Sequence, residues 1–321
     1  MAGKVKINNV WLNGEIVPAS EASQGILTFT LHYGYGVFEG IRFRKGPVRD
    51  EHHIFRLEDH IARLFESARI LGIEVPYTPD DIKRACLDVI NAENLLDGGY
   101  IRPIVFVGDG DMGLGAFSNP LQVAVIAWPW GKYLGDGTGA RLGLEPELFR
   151  PTLPGELRKA KRVGGYDIST MVKRRAKARG YDDAVMFDQN WHVAECSGMN
   201  IGWTRGRAIF MPSGEANILE GKTRDSVIAI AQRVGYDVRE GLYYMYDLRG
   251  AEEVFVMGTA AEVTPVVELD GMLVGDGRPG PITQDLARRF FAIAGGGAEG
   301  EKWDHPEWRY TFRFADATGG M

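Results

Sequence analysis

The hydrophobic period of this chain switches repeatedly within its first 130 residues, and that switching constrains the fold more than any other feature. Val10 to Val17 reads as a hairpin, because Asn13-Gly14 between apolar flanks supplies the two positive φ angles of a type I′ turn. From Gly34 to Arg44 the alternation Val37-Phe38-Glu39-Gly40-Ile41-Arg42-Phe43 predicts a strand. Between Arg56 and Leu71 the period lengthens. Leu57, Ile61, Leu64, Ala68 and Leu71 form one helical stripe, and Gly72 stops it. A second helix is predicted from Pro79 to Glu93, with Ile82, Ala85, Cys86, Val89 and Ile90 inward. Tyr100 to Val107 and Leu121 to Trp130 then return to strand. Interleaved strands and helices of this kind predict an α/β (α+β) chain.

With 321 residues, two domains sharing an interface are expected. Gly131 to Gly143 is glycine-rich and poor in core apolars, which suits a connector. Beyond it come a helix from Asp167 to Arg179 and short strands near Ile201 and Ala208 to Phe210. A turn at Leu219 to Arg224 opens a helix that buries Val227, Ile228, Ile230 and Ala231. The strand Glu253 to Met257 ends in Gly258-Thr259-Ala260-Ala261. Lys173 to Lys177 reads as a solvated helical face, and His52-His53 as part of a charged linker. The tail after Gly295 has no clear pattern.

A net charge of −6 argues against nucleic acid or an anionic membrane as partner. Cys86 and Cys196, far apart, offer neither a disulfide framework nor a CxxC site, which suits a reducing compartment. The N-terminus lacks an apolar signal core and the apolar runs are strand-length, so a cytoplasmic location is expected. Six histidines form no HxxxH pair, so no metal is expected. Ser197-Gly198 lacks the GxSxG elbow. Gly108 to Gly113 spells GxGxxG after a strand, but Leu114 to Pro120 is turn-like where a dinucleotide site needs a helix.

The chemistry concentrates between Thr152 and Asn200. Lys161 and Tyr166 flank paired glycines, and Glu195 stands in a Gly/Ser-rich turn, Glu195-Cys196-Ser197-Gly198-Met199-Asn200. An amine, a phenol and a carboxylate are the groups that hold a pyridine aldehyde: imine partner, ring-hydroxyl partner and ring-nitrogen partner. A phosphate is suited by Gly221-Lys222-Thr223 ahead of a helix and by Gly258 to Ala261 after a strand. Arg63, at helical spacing from His60, offers a third phosphate ligand. On pattern alone, Lys159 and Lys222 compete with Lys161 for the aldehyde.

With those residues in view, the chain resembles branched-chain aminotransferases of the fold-type IV pyridoxal-phosphate class from about Val10 to Thr283. The motifs that carry the resemblance are Leu31-His32-Tyr33-Gly34, Val37 to Arg42, Tyr100-Ile101-Arg102-Pro103, Pro129 to Gly135, Thr223-Arg224-Asp225 and Gly258 to Pro265. It implies the D-amino acid aminotransferase-like fold, with a small N-terminal α/β domain (1–132), an interdomain loop (133–146) and a larger cofactor-binding domain (147–321). It also implies a homodimer or larger homo-oligomer, with the cofactor between the domains and a partner subunit completing the site. In the family the Schiff-base lysine precedes the ring-hydroxyl tyrosine by five positions, which selects Lys161 and Tyr166. Glu195 then takes the pyridine nitrogen of pyridoxal 5′-phosphate, and Arg63, Lys222, Thr223 and Thr259 its phosphate. Tyr33, Phe38, Arg42, Tyr100, Arg102 and Tyr133 line the substrate cavity, and the amides of Thr259 and Ala260 receive the substrate carboxylate.

The implied reaction moves an amino group from a branched-chain L-amino acid to a 2-oxo acid such as 2-oxoglutarate. Alternatives within the fold are an (R)-amine or D-amino acid transaminase and an aminodeoxychorismate-type lyase. The family usually has Glu-Gly-x-Gly-Glu-Asn at 195–200, so Met199 replaces a carboxylate with an apolar, adaptable wall, as in (R)-selective amine transaminases. Lys222 replaces a branched apolar residue and adds charge beside the phosphate position.

Overall fold

Asn13 and Gly14 take φ angles of 50° and 108° and turn β1 (Asn9–Leu12) into β2 (Glu15–Pro18), the hairpin its Asn-Gly pair predicts. This computed structural model describes residues 5–115, 118–131, 133–134, 138–296 and 305–314. Lys132 and Gly135 of the Pro129 to Gly135 motif, the middle of the glycine-rich connector, the first four residues and much of the tail lie outside them. The chain divides into two units, one of residues 1–131, 160–165 and 292–321, the other of residues 132–159 and 166–291.

In the first unit α1 (Phe29–Tyr33) closes on Gly34 at φ 64°. The single strand expected from Gly34 to Arg44 is therefore two, β3 (Gly36–Phe38) and β4 (Ile41–Lys45), both paired with a later strand. β5 (Glu51–Phe55) corrects the reading of His52-His53 as linker, since the two imidazoles are 2% and 4% exposed. Each has a ring nitrogen near an oxygen, of Leu96 (2.8 Å) and Thr311 (2.9 Å), and those partners lie too far along the chain for local charge to reveal. α2 (Leu57–Ile70) and α3 (Pro79–Ala92) bury the predicted stripes, except that Leu71 lies just past the end of α2 and is half-buried. Thr78 and Asp81 form a capping box ahead of α3, with Pro79 at its first position. β6 (Gly98–Val107) and β7 (Leu121–Trp128) follow, and α3 lies against β7 and β1 over a core that includes Phe43, Ile54, Leu64 and Ile90.

The second unit starts with β8 (Ala140–Glu145), four residues of which fall in the expected connector. Ala140 and Leu142 are fully buried where β8 runs parallel to neighbours on both sides, so burial outweighs the local glycine content. Then come α4 (Asp167–Ala178), β9 (Asp183–Phe187), β10 (Val193–Cys196), β11 (Asn200–Arg205) and β12 (Ala208–Pro212). α5 (Lys222–Arg233), β13 (Asp237–Gly241), α6 (Met245–Arg249), β14 (Glu253–Gly258), β15 (Glu262–Leu269), β16 (Met272–Leu273) and α7 (Pro281–Gly295) as far as Phe291 complete it. The strands form one mixed sheet, ordered β10-β9-β8-β15-β14-β11-β12-β13, with β16 beside β15. In α5, Val227, Ile230 and Ala231 are buried as expected, and Ile228 is half-buried. The tail then returns to the first unit as β17 (Arg309–Arg313), which pairs with β5 and ends an antiparallel sheet ordered β17-β5-β4-β6-β7-β1-β2, with β3 beside β6.

Candidate active site

Residues 160–165 belong to the first unit, and three attachments fix their course. The Lys161 amide donates to Ser67 Oγ on α2 (3.0 Å), and the Phe38 amide donates to the Lys161 carbonyl (3.1 Å). Gly164 N donates to Gly34 O (2.9 Å), and a Cβ at Gly34 would stand 2.7 Å from Gly164 Cα. Only glycine allows that approach at that positive φ. Lys161 is thereby held against β3, its Nζ 4.8 Å from the Phe38 ring centroid.

Phe38 also carries the Arg102 guanidinium, 4.7 Å from its centroid, with the Tyr100 and Trp128 rings at 5.4 and 5.7 Å. Arg102 Nη2 donates to Tyr100 Oη at 3.4 Å. Arg42 faces Tyr100 across the β4–β6 ladder and donates to Trp130 O at 3.4 Å; burial pulls its guanidinium downward, against a smaller opposing effect of Tyr100. Amine, cations and aromatic faces thus meet on one stretch of sheet, a surface suited to an aliphatic carboxylate. Tyr33 lies on α1, its hydroxyl donating to Met112 O at 2.7 Å.

Arg63, expected at a phosphate, grips a carboxylate. Glu39 is completely buried and accepts Arg63 Nε at 2.5 Å and Nη2 at 3.0 Å, with His60 Nδ1 at 2.8 Å. Burial pushes the Glu39 carboxyl up, but Arg63 and His60 together outweigh it and hold it well below the usual carboxylate range. The i, i+3 spacing of His60 and Arg63 was the one available signal for this cluster, and it did not name Glu39.

In the second unit Glu195 ends in a network of its own. Arg150 Nη2 meets its Oε1 at 2.8 Å, while Asn200 Nδ2 (3.0 Å) and Leu219 N (3.2 Å) donate to Oε2. Arg150 carries no sequence signal beyond its charge, and its role appears only in the folded chain. Asn200 also borders the start of α5, because a Cβ at Gly221 would run into its Oδ1. Gly221 caps α5 with no side-chain hydrogen bond, and the half-buried Lys222 and the buried Thr223 open the helix. A fixed carboxylate and the positive end of a helix therefore stand beside one another. Arg224 instead pins α5 to β12 and β13, donating to Pro212 O (2.9 Å) and pairing with Glu240.

Thr259, Ala260 and Ala261 form the loop between β14 and β15, closed by Glu262 at φ 58°. Gly258 lies against the 195–200 turn: a Cβ there would be 3.5 Å from Gly198 O and 3.6 Å from Met199 Cα. Tyr166 is half-buried at the start of α4, where its carbonyl accepts Thr170 N (2.9 Å) and Oγ1 (2.7 Å). Tyr133 is more exposed, its ring 4.8 Å from Lys173 Nζ. The basic run on α4 is only partly a solvated face, because Lys173 meets the buried Asp183 at 2.8 Å. Among the described residues no group of three or more His, Cys, Asp or Glu could hold a metal ion.

The model of the Amino-transferase class IV family matches residues 36–269. The branched-chain-amino-acid aminotransferase of Escherichia coli (strain K12) is 38% identical over 311 residues, covering 93% of this chain and 96% of that protein. The crystal structure of the Escherichia coli branched-chain amino acid aminotransferase superposes with a TM-score of 0.88 at 35% identity, over 95% of this chain and 99% of that one. The T.th. branched-chain amino acid aminotransferase complexed with N-(5′-phosphopyridoxyl)-L-glutamate gives a TM-score of 0.84 at 38% identity, over 94% and 98% of the two chains. A match over most of the chain, in sequence and in fold, places it: this chain belongs to the class IV aminotransferase family.

Proposed function

We propose that this protein transfers the amino group of a branched-chain L-amino acid to a 2-oxo acid such as 2-oxoglutarate, with pyridoxal 5′-phosphate as cofactor. The observation that carries this reading is Glu195, a carboxylate held by Arg150, Asn200 and the Leu219 amide beside the start of α5, where the Gly221 cap gives no side-chain hydrogen bond. Those two features match the two ends of the cofactor, a protonated ring nitrogen and a phosphate. When bound, the cofactor supplies an aldehyde carbon and an electron-withdrawing ring.

The chain's own groups divide the remaining work. Lys161 Nζ would hold the cofactor through its aldehyde carbon and, once the donor amine takes its place, would serve as the base that accepts the donor Cα proton. Tyr166 would hold the ring hydroxyl, and Lys222, Thr223 and Thr259 the phosphate. Arg63, already set by Glu39, would add a cation to that phosphate. Phe38, Arg42, Tyr100, Arg102, Tyr33 and Tyr133 would receive the donor and acceptor, with the amides of Thr259 and Ala260 on the carboxylate. Arg102, lying between aromatic faces, suits the second carboxylate of a dicarboxylic acceptor. A homodimer or larger homo-oligomer in the cytoplasm completes the reading, and the buried, unbridged Cys86 and Cys196 suit a reducing compartment.

A second donor class, an (R)-amine or D-amino acid, is favoured by one feature, the buried apolar Met199 against Gly258. Mixing the yellow protein with L-leucine, a D-amino acid and an (R)-arylamine, and following the absorbance change, ranks the donors. L-leucine should bleach the band fastest. Borohydride reduction and peptide mapping should place the cofactor mass on Lys161, and an unmodified Lys161 in loaded protein would refute the assignment.

A further inference from the structure

Asp183, the first residue of β9, has no exposed surface and is saturated with donors. Its Oδ1 accepts Ala184 N (2.8 Å) and Ser197 N (3.2 Å), and its Oδ2 accepts Ser197 Oγ (2.8 Å) and Lys173 Nζ (2.8 Å). Two of those four bonds reach the turn between β10 and β11, which Cys196 N closes by donating to Met199 O at 2.8 Å. That turn carries Glu195 at one end and Asn200 at the other, and Gly258 lies against its Gly198 and Met199. A buried carboxylate needs a compensating cation, and Lys173 on α4 meets it. The same ammonium lies 4.8 Å from the Tyr133 ring centroid. Burial works against the charge on Lys173, yet Asp183 and, next, Tyr133 outweigh it and raise its pKa.

We propose that Lys173 is a specificity-determining positioning residue: held by Asp183, it fixes the Tyr133 ring and couples it to the turn that carries Met199. Neither residue touches the reacting atoms. Their role is to give the donor side chain one wall in one place, set at Tyr133 and at Met199 by a single buried charge. A tyrosine ring set in place before binding spares the cost of ordering a partly exposed side chain on binding. Met199 adapts its shape readily, so a turn anchored from behind by Ser197 is what keeps that wall in register.

The inference rests on the transaminase reading with Tyr133 at the substrate, and its test keeps the two apart. Wild-type holoenzyme is first checked for bleaching by L-leucine and for the label on Lys161; failure there overturns the function itself. In protein that passes, the paired change Lys173→Met/Asp183→Asn removes both charges together and leaves no uncompensated buried ion. It should raise the KM for L-leucine roughly three- to thirtyfold, as expected for losing a partly desolvated cation–aromatic contact, with kcat within about twofold. The affinity for 4-methylpentanoic acid, an unreactive branched carboxylate, should fall by the same factor in calorimetry. Lys173→Arg, which keeps the cation over the ring and the pair with Asp183, should recover both values.

Should the paired change fail to fold, Tyr133→Leu, at an exposed position, reads the same contact and should reproduce the KM rise. Where both can be made, combining them should add nothing further. Unchanged KM and carboxylate affinity, a fall confined to kcat, or additive losses from Tyr133→Leu and the paired change would each overturn the proposal.

Discussion

Replacing Glu39 with Gln tests the electrostatic logic of the first unit most directly. The substitution keeps the shape and removes only the charge that Arg63 and His60 grip. Arg63 is 12% exposed at its side chain and Glu39 not at all, so the pair is a buried one and solvent screening does little to it. Breaking such a pair by neutralising one partner costs about 3–5 kcal/mol, because the other charge stays buried without its match. For a domain of this size each kcal/mol moves the Tm by about 2–4 °C, so a fall on the order of 10 °C is expected.

The pH dependence follows from the direction of the shift. Glu39 in the folded state sits below the ordinary value of about 4.3, so the unfolded chain binds the extra proton first. Its contribution is complete above that ordinary value and is lost as pH falls through the depressed folded value. The wild type should therefore exceed Glu39→Gln by the full amount at pH 7, and the gap should narrow as the medium is taken below pH 4. Urea denaturation at several pH values reads this directly, as a shift in midpoint at constant slope. A loss under about 1 kcal/mol at neutral pH, or a gap that stays constant down to pH 3, would refute the assignment of Glu39 as a charged anchor.

Three further outcomes are expected. Arg150→Met removes a charged hydrogen bond from Glu195 and should weaken pyridoxal phosphate retention by about 1.5 kcal/mol, roughly tenfold, in a fluorescence titration. Gly34→Ala forces a Cβ into Gly164 at a positive φ and should cost about 1–3 kcal/mol in thermal or urea melts, with slower borohydride trapping at Lys161 as its segment shifts. Cys86 and Cys196 are both buried, and burial pushes both thiols up, so a chromogenic disulfide reagent at pH 8 should titrate no thiol in native protein and two in urea.

What could be read from the sequence was whatever neighbours within a few residues decide. The stripes of α2 and α3, the Asn13-Gly14 hairpin and the turn that opens α5 each depend on local spacing, and each is present in the fold. The misreadings share one cause. His52 and His53 look like linker until Leu96 and Thr311 supply the oxygens that allow them to be buried. Ala140 and Leu142 look like connector until β9 and β15 flank them, and β17 has no visible purpose until β5 is beside it. The candidate site follows the same division. Lysine, tyrosine and glutamate stand out by chemical type as candidates, although Lys159 and Lys222 compete with Lys161 until the family resemblance chooses among them; what sets Lys161 and Glu195 in place does not show. Ser67 fixes the Lys161 backbone from 94 residues away, Arg150 reaches Glu195, and Glu39 occupies the guanidinium of Arg63. A catalytic group is legible because few residue types can do its chemistry, whereas its support can be any residue that the fold delivers to the right oxygen. Lys173 shows the consequence: in a basic run it reads as solvated surface, and its pairing with the buried carboxylate of Asp183 appears only in the folded chain.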